Sequence, residues 1–341
     1  MALEEIRKSR LQKLSAIRAA GFAYPLSAKR THLIKVAADN FSKLKKEITL
    51  AGRLMSLRQH GGLVFANLED ESGSIQLMLK KDSLGEKFFQ FFVNNFEVGD
   101  FIQAKGTLFK TKRGEKTLDV RDFKCLAKAL LPLPEKWHGL QDVEERFRKR
   151  YLDLIFNKDV KEKLVLRTKI IKELRNYLEK EGFLEVETPI LQTVYGGATA
   201  KPFKTRLNAL DMDLFLRISP ELYLKRLLVG GFEKIFEIGK CFRNEGVDKA
   251  HNPDFTMLEF YWAYTDYKEL VKFTEKMLSS IIKKLSGKYK ISRGNDALDF
   301  KPPWPRVEYF DLFKSRAKIA LEEINAEALK KEAQKLGIND I

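Results

Sequence analysis

The feature that most constrains the fold is a change in hydrophobic spacing near residue 48. Between Ile48 and Leu126 apolar and polar residues alternate in five short runs, which are ITLAGRLMSLR, LVFANLED, SIQLMLK, DFIQAKGTLFKTK and KTLDVRDFKCL. A period of two is typical of half-buried β-strands, because successive side chains point to opposite faces. Turn residues separate several of the runs, at His60-Gly61-Gly62, Ser72-Gly73 and Arg113-Gly114.

A helical pattern over 85–94 interrupts the five predicted strands. This order matches a small Greek-key barrel of the oligonucleotide-binding type, in which one face and its loops hold splayed bases. Other small barrels give a similar pattern. Upstream, residues 3–20 predict a basic amphipathic helix that ends at Gly21.

A stiff segment, Leu131-Pro132-Leu133-Pro134 followed by Gly139, is the best candidate for a domain boundary. Beyond it the sequence predicts a long helix over 159–181, the strand FLEVETPIL, and strands over 234–243 and 255–264. The short gap between the last two strands favours an antiparallel pair, and hence an α+β domain over a doubly wound parallel sheet. We expect four regions: a lead-in over 1–47, the barrel over 48–130, a linker over 131–150 and a second domain over 151–341.

Charge is distributed unevenly along the chain, whose formal net charge is +16. Residues 1–150 hold 29 Lys and Arg against 18 Asp and Glu, which suggests polyanion binding, although solubility alone also explains such an excess. No long uncharged apolar run and no signal peptide are evident, so we expect a cytoplasmic protein that does not enter a membrane. The only cysteines, Cys125 and Cys241, suggest neither a disulfide framework nor a zinc site.

Polar residues cluster around the predicted antiparallel pair. Alternation places Glu259 and Tyr261 on one strand face with Phe255 and Met257, whereas Thr256, Leu258, Phe260 and Trp262 face the other way. A half-buried strand with one solvated carboxylate is the simpler interpretation of Glu259. The loop before it contains Arg243, Glu245, His251 and Asn252. Arginine can bind a phosphate bidentately and histidine can hold the far end of a polyphosphate, although no glycine-rich phosphate loop is present.

These residues carry a resemblance to a known family. The run FEIGKCFRNEGVDKAHNPDFTMLEFYWAY resembles motif 2 of class II aminoacyl-tRNA synthetases, and GFLEVETPIL resembles motif 1. With GGATAKPF, ISPELYLKRLLVGGFEKIFEIG and the barrel, nearly the whole chain is similar to lysyl-tRNA synthetases. The resemblance implies an OB-fold barrel and a class II antiparallel sheet flanked by helices. It also implies activation of L-lysine with ATP and Mg²⁺ and transfer of the lysyl group to tRNA(Lys).

Related families fit less well. Aspartyl and asparaginyl enzymes share the plan but do not read FRNEG, HNPDFTMLE or PELYLKRL at these places. The ligase that lysylates an elongation factor lacks the anticodon-binding barrel.

The resemblance also implies roles for individual residues. ATP would contact Arg243, Glu245, His251, Asn252 and Phe255, with Arg243 as the catalytic residue. Lysine would contact Gly197, Glu221, Arg243, Glu259 and Tyr261. The anticodon would contact Arg58, Phe65, Gln76 and Glu115. Two simpler interpretations remain open, because Glu221 suits the first turn of any helix and Phe65 suits a barrel core.

The glycine-rich third motif of the family, with its magnesium ligands, does not follow residue 246. We therefore expect no metal ligands in this chain and an N-terminal fragment of a longer enzyme, with an incomplete catalytic sheet. A homodimer through the motif 1 helix and strand is implied by the family, although a monomer core explains the apolar helix stripe equally well. Two alternatives to an active enzyme are a catalytically incomplete fragment that binds tRNA and dimerises, and a generic single-strand-binding barrel on an unrelated domain.

Overall fold

The computed structural model describes residues 3–21, 24–134, 142–248, 250–322, 324–335 and 337–338. The chain divides into two compact units, Met1–Val160 and Lys161–Ile341. The predicted linker over 131–150 includes a short helix at its end, and Gly139 lies outside the described residues. No helix in the described ranges is long and apolar enough to cross a bilayer.

The N-terminal unit is built around strands. Its elements in chain order are α1 (Leu3–Ala19), α2 (Ile34–Asp39), β1 (Ile48–His60), β2 (Leu63–Glu69), β3 (Ser74–Lys80), α3 (Lys81–Leu84), α4 (Glu86–Asn95), β4 (Phe101–Lys110), β5 (Lys116–Ala127), α5 (Val143–Arg148) and α6 (Arg150–Phe156).

Strands β1 to β5 form a closed barrel in the order β1-β2-β3-β5-β4. Neighbouring strands are antiparallel except β3 and β5, which run parallel. Burial alternates along β2, so that Val64, Ala66 and Leu68 point into the core and Phe65 and Asn67 point outward. The barrel and the inserted helix predicted from sequence are therefore confirmed, and the outer face of β2 is available for a ligand.

Helix α1 packs on the barrel through Leu14 and Ile17, and a charged network holds it there. Arg10 donates to the carbonyl oxygens of Ala129 at 2.8 Å and Leu131 at 2.9 Å. Lys13 contacts Glu97 at 2.8 Å. The predicted basic amphipathic helix is confirmed, and part of its basic side is occupied by internal ion pairs.

The C-terminal unit combines helices with short sheets. The elements that follow those of the barrel unit are α7 (Lys158–Lys180), β6 (Leu184–Glu185), β7 (Leu191–Gln192), β8 (Lys204–Leu207), a 3₁₀ turn (Asn208–Leu210), β9 (Met212–Leu216), α8 (Glu221–Val229), β10 (Lys234–Phe242), β11 (Asp254–Trp262), α9 (Tyr267–Ser286), β12 (Lys290–Arg293), β13 (Asp296–Asp299), α10 (Tyr309–Ala317) and α11 (Ala326–Lys335).

Strands β10 and β11 form the antiparallel hairpin that the sequence predicted, and β6 pairs with β10 in parallel. One face of the hairpin packs on α7 and α9 in a core that contains Leu178, Phe183, Phe236, Phe273 and Met277, with Leu258, Phe260 and Trp262 packed against it. The opposite face carries Glu259 and Tyr261 and is free of this core. The α+β class is thus confirmed.

The prediction of one continuous strand over FLEVETPIL is wrong. Only Leu184–Glu185 and Leu191–Gln192 are strands, and they belong to different sheets. Pro189 lies between them and lacks the backbone N–H that a continuous ladder needs.

Candidate functional site

The outer face of the barrel contains a groove of about 720 Å³. All four residues predicted to contact an anticodon line it: Arg58, Phe65, Gln76 and Glu115. They come from β1, β2, β3 and the loop that leads into β5, so the closed barrel brings together positions that are far apart in the sequence. The four residues thus share one groove, and their predicted role as anticodon readers stays a prediction.

The side chains of the groove have distinct chemical characters. Phe65 is half-buried and faces outward, so the interpretation of Phe65 as a core residue does not hold. It lies opposite Arg58 on β1 and Met78 on β3. The hydroxyl of Thr117 donates to Oε1 of Gln76 at 2.8 Å, which leaves the amide Nε2 as a donor for a ligand. An aromatic ring beside a fixed amide suits stacking and edge recognition of a base.

The groove also contains residues that the sequence did not single out, namely Ser56, His60, Asn67, Ser74, Lys112 and Arg113. Period-two spacing from Arg58 identifies Ser56 and His60, and the same spacing from Phe65 identifies Asn67. Lys112 and Arg113 lie in the β4–β5 loop, where their charges are exposed to solvent. The groove therefore presents more cationic than anionic side chains.

The C-terminal unit has its own candidate site on the open face of the hairpin. Glu237 on β10 lies directly opposite Glu259 on β11. Like charges opposite each other on paired strands are unfavourable, so each carboxylate needs its own compensation. The two glutamates obtain it from very different partners.

Arg217 neutralises Glu237 in the interior. The two side chains form a close ion pair and are almost fully buried. Thr188 donates to the other oxygen of Glu237 at 2.7 Å, and Arg217 Nε donates to the carbonyl oxygen of Lys240 at 2.8 Å. The guanidinium crosses β10 at Gly239, where a Cβ atom would lie only 2.1 Å from Nη2 of Arg217.

Glu259 has neutral donors instead. Ser219 donates to Oε1 at 2.6 Å and Tyr261 donates to Oε2 at 3.3 Å. Across the described ranges, no lysine or arginine forms an ion pair with Glu259. Burial raises the pKa of Tyr261 well above its ordinary value, and Glu259 and Glu221 raise it further, so the phenol remains a donor at neutral pH.

The nearby thiol contributes no charge to this face. Cys241 is buried on β10, and burial raises its pKa to about 11. Glu259 is therefore the carboxylate of this face that is left for an external cation.

Gly197 and Glu221, which were predicted to receive an α-amino group, are adjacent in the structure. A Cβ atom at Gly197 would lie 2.7 Å from Cβ of Glu221, and the positive φ of 86° also favours glycine there. The Glu221 carboxylate contacts Lys225 of its own helix at 2.7 Å. Because both groups are partly exposed, a ligand ammonium can replace Lys225, and the simpler role of an acid in the first helical turn also holds.

The predicted nucleotide-binding residues lie in the loop between β10 and β11 and at the start of β11. The Arg243 guanidinium lies 5.1 Å from the centre of the Phe255 ring, and its buried Nε has no hydrogen-bond partner within the described ranges. The backbone N–H of Lys201 donates to Glu245 at 3.1 Å, which fixes that carboxylate beside the preceding loop.

His251 and Asn252 are exposed in the loop that joins the two strands. The His251 ring Nδ1 contacts the Asp248 carboxylate at 2.8 Å, and this hydrogen bond is the main cause of the lowered pKa of Asp248. The structure thus brings Arg243 and Phe255 together, holds Glu245 against Lys201 and leaves His251 and Asn252 exposed in the loop, so their shared role in nucleotide binding stays a prediction.

Sequence reasoning missed Ser219, Arg217 and Glu237. A signal for the last two was present, because each is a charged residue inside an otherwise apolar strand pattern, LFLRIS and KIFEIG. Buried charges in such patterns are paired as a rule. Ser219 gave no comparable signal, since a serine before Pro220 is ordinary at a helix start.

The residues in the described ranges contain no group of three or more His, Cys, Asp or Glu side chains that could hold a metal ion.

Comparison with known proteins identifies both regions. Residues 48–126 match a family model described as an OB-fold nucleic acid binding domain. Residues 142–339 match a family model described as tRNA synthetases class II (D, K and N). The second match excludes the interpretation of the barrel as a generic domain attached to an unrelated partner.

Individual relatives are similar over nearly the whole chain. A protein of Syntrophomonas wolfei subsp. wolfei, named lysine–tRNA ligase, is 49% identical over 317 residues, which are 92% of this chain and 64% of the relative. Proteins with the same name from Clostridium botulinum (strain Loch Maree / Type A3) and Aquifex aeolicus (strain VF5) are 48% and 50% identical over 96% and 87% of this chain. The chain spans 66% and 50% of their lengths. By these matches and by the geometry of its hairpin and barrel, the chain belongs to the class II tRNA synthetases of the D, K and N group.

Proposed function

We propose that this chain carries the lysine- and ATP-binding hairpin and the anticodon-binding barrel of a lysine–tRNA ligase. The observation that supports this most directly is the unequal compensation of two opposed glutamates. Arg217 neutralises Glu237, whereas Glu259 has only hydroxyl donors and retains the capacity to bind a cation. A side-chain ammonium is the complementary group. Similarity to proteins named lysine–tRNA ligase supports the same substrate.

The proposed mechanism needs no general base. Glu259 and Tyr261 would receive the ε-ammonium of lysine, and Glu221 and the Gly197 backbone would receive its α-ammonium. The lysine carboxylate would attack the α-phosphorus of ATP in line, forming lysyl-adenylate and releasing pyrophosphate. The terminal hydroxyl of tRNA would then attack the acyl carbon and give its proton to the departing phosphate, which leaves as AMP.

In this mechanism Arg243 is the catalytic residue. Its guanidinium would neutralise charge that develops at the α-phosphate, and Phe255 would stack on adenine while Glu245 accepts from the adenine amino group. His251 and Asn252 would contact the outer phosphates. Catalysis of this kind rests on positioning and charge stabilisation.

For the barrel we propose recognition of the tRNA(Lys) anticodon, with Phe65 as the stacking platform and Arg58, Gln76 and Glu115 as readers of base edges. We propose that the anticodon-binding domain spans 48–130 and the partial catalytic domain spans 151–341. The reaction serves protein synthesis, and we propose the cytoplasm as its location.

We also propose a homodimer through α7 and the motif 1 segment. Four apolar side chains of α7 are more than one-third exposed: Leu164, Val165, Leu166 and Ile170. Sedimentation velocity of the chain tests this proposal, with Leu166→Glu expected to shift a dimer to monomer.

Lysine-dependent exchange of pyrophosphate into ATP tests the proposed function. Arg243→Ala should lower the exchange rate by roughly 10²–10³-fold, because one positioned charge donor is lost. Arg206→Ala is the matched control, since Arg206 pairs with Asp211 and Asp213 outside the site. Exchange that responds equally to other amino acids would contradict lysine as the substrate.

The alternative of a tRNA-binding chain without catalysis is favoured by one observation: the barrel groove is formed entirely within the N-terminal unit. Binding of an RNA stem-loop with a UUU anticodon, together with absent exchange, would support this alternative over the enzyme.

A further inference from the structure

One buried hydroxyl joins the two halves of the proposed lysine pocket. Ser219 donates to Oε1 of Glu259 at 2.6 Å and accepts from the backbone N–H of Glu221 at 3.1 Å. Its exposed fraction is 1%. The side chain therefore connects the first residue of α8 with the middle of β11, and each of these positions carries one of the two carboxylates.

Neighbouring groups leave this hydroxyl little freedom. A Cβ atom at Gly197 would lie 2.7 Å from Oγ of Ser219, so the 197 backbone closes over it. On the other side, Tyr261 donates to Oε2 of Glu259. The Glu259 carboxylate has a donor on each oxygen, and its orientation is fixed from both sides.

We propose that Ser219 is a positioning residue that sets the separation between the acceptors of the α-ammonium and the ε-ammonium groups. This inference rests on the proposed function. Ser219 contacts the Glu259 carboxylate and packs against the Gly197 backbone, so these two acceptors lie at a set separation that a cationic amino acid with one methylene fewer cannot span. Ser219 thereby favours lysine over ornithine.

The test uses two unreactive adenylate analogues, lysyl-sulfamoyl-adenosine and ornithyl-sulfamoyl-adenosine, with calorimetric titration of this chain. The wild type should prefer the lysyl compound by roughly 10–200-fold, the range for one missing methylene. Ser219→Ala should weaken the lysyl compound by about tenfold, because a hydrogen bond to a charged group is lost. Ornithyl affinity should change less, so the ratio of the two affinities should fall.

Two further variants separate positioning from a merely structural role. Ser279→Ala removes another buried serine hydroxyl, which donates to the carbonyl oxygen of Phe300, and it should leave the affinity ratio unchanged. In a Glu259→Gln background, Ser219→Ala should add no further loss, because Ser219 acts through the Glu259 carboxylate.

An unchanged ratio in Ser219→Ala, or an equal loss for both analogues, would overturn this inference and leave the proposed function in place. Failure of the wild type to bind either analogue would overturn the proposed function and the inference with it.

Discussion

At the scale of single residues, Glu237 and Glu259 differ in their partners, because a buried arginine neutralises Glu237 whereas Glu259 has only hydroxyl donors. Removing the charge of Glu259 should therefore affect ligands and not folding. We expect Glu259→Gln to weaken lysyl-sulfamoyl-adenosine by about 2–5 kcal/mol, because the ligand ammonium loses its charged partner. Titration calorimetry measures this. Glu269→Gln, at an exposed position of α9, is the control, and equal affinities for the two variants would refute the role of Glu259.

Arg217 should behave in the opposite way and affect folding. We expect Arg217→Met alone to lower the free energy of unfolding by about 3–5 kcal/mol, since it leaves Glu237 buried without its cation. The double variant Arg217→Met/Glu237→Leu should recover most of that loss, because the pair is then replaced by apolar groups. Urea denaturation followed by circular dichroism measures both. If the single and double variants lose the same free energy of unfolding, the loss does not come from an unpaired Glu237 carboxylate.

At the scale of elements, the attachment of α1 to the barrel should depend on pH. Burial raises the pKa of Glu97, but hydrogen bonds and charges from Lys13, Lys128 and Arg10 outweigh it, and the net pKa is lowered. Because the pKa of Glu97 is lower in the folded state, its carboxylate stabilises the fold at pH values above its ordinary pKa of 4.5. This contribution is lost as the pH falls through the folded-state value.

We therefore expect the amides of α1 to lose protection against hydrogen exchange, relative to those of the barrel core, as the pH falls below the ordinary pKa of glutamate. Glu97→Gln should already show reduced protection factors in α1 at pH 7 and little further loss of protection in acid. Glu86→Gln, whose carboxylate pairs with Lys81 near the surface, is the control. Identical pH dependence in wild type and Glu97→Gln would argue against this network as the anchor.

The outward face of β2 permits a matched comparison between two phenylalanines. Phe65→Ala should weaken binding of a UUU stem-loop by about 1–3 kcal/mol, because one stacking platform is lost, with little change in stability. Phe92, which is 1% exposed, lies in the core, and Phe92→Ala should cost about 3–5 kcal/mol of stability. Fluorescence anisotropy and urea denaturation measure the two effects. A stability loss in Phe65→Ala as large as that in Phe92→Ala would contradict the assignment.

At the scale of the whole molecule, the positive charge of residues 1–150 should make RNA binding more sensitive to salt than the binding of lysyl-sulfamoyl-adenosine. RNA binding by a basic barrel releases counterions, with a log–log slope of about −0.7 for each phosphate contacted by a single strand. Lys112→Gln/Arg113→Gln should make this slope shallower by about 1.4 if both residues contact phosphates. Lysyl-sulfamoyl-adenosine should show little salt dependence by comparison. Titrations between 50 and 200 mM salt, on the order of physiological strength, measure the slopes, and an unchanged RNA slope would exclude both side chains as phosphate contacts.

Most of the fold could be predicted because long regular patterns report which face of an element is buried. The barrel strands, α7, α9 and the β10–β11 hairpin all follow such patterns. The segment FLEVETPIL could not be resolved by composition, since its apolar residues suit a strand while its proline divides it between two sheets.

The candidate sites were predictable in part. Residues within one motif, such as Arg243 and Glu259, could be placed together because strand periodicity sorts them. Ser219 could not, because its partner is 40 positions away and only the packing of α8 beside β11 brings them into contact.

Gly239 shows how a missing atom can govern the chemistry of a surface. Even a single methyl group there would occupy the space through which the Arg217 side chain passes. An alanine at 239 would displace the Arg217 guanidinium and leave the buried Glu237 carboxylate without its cation, directly opposite Glu259. The absence of a side chain at Gly239 thus allows Arg217 to neutralise Glu237, while Glu259 keeps only neutral partners.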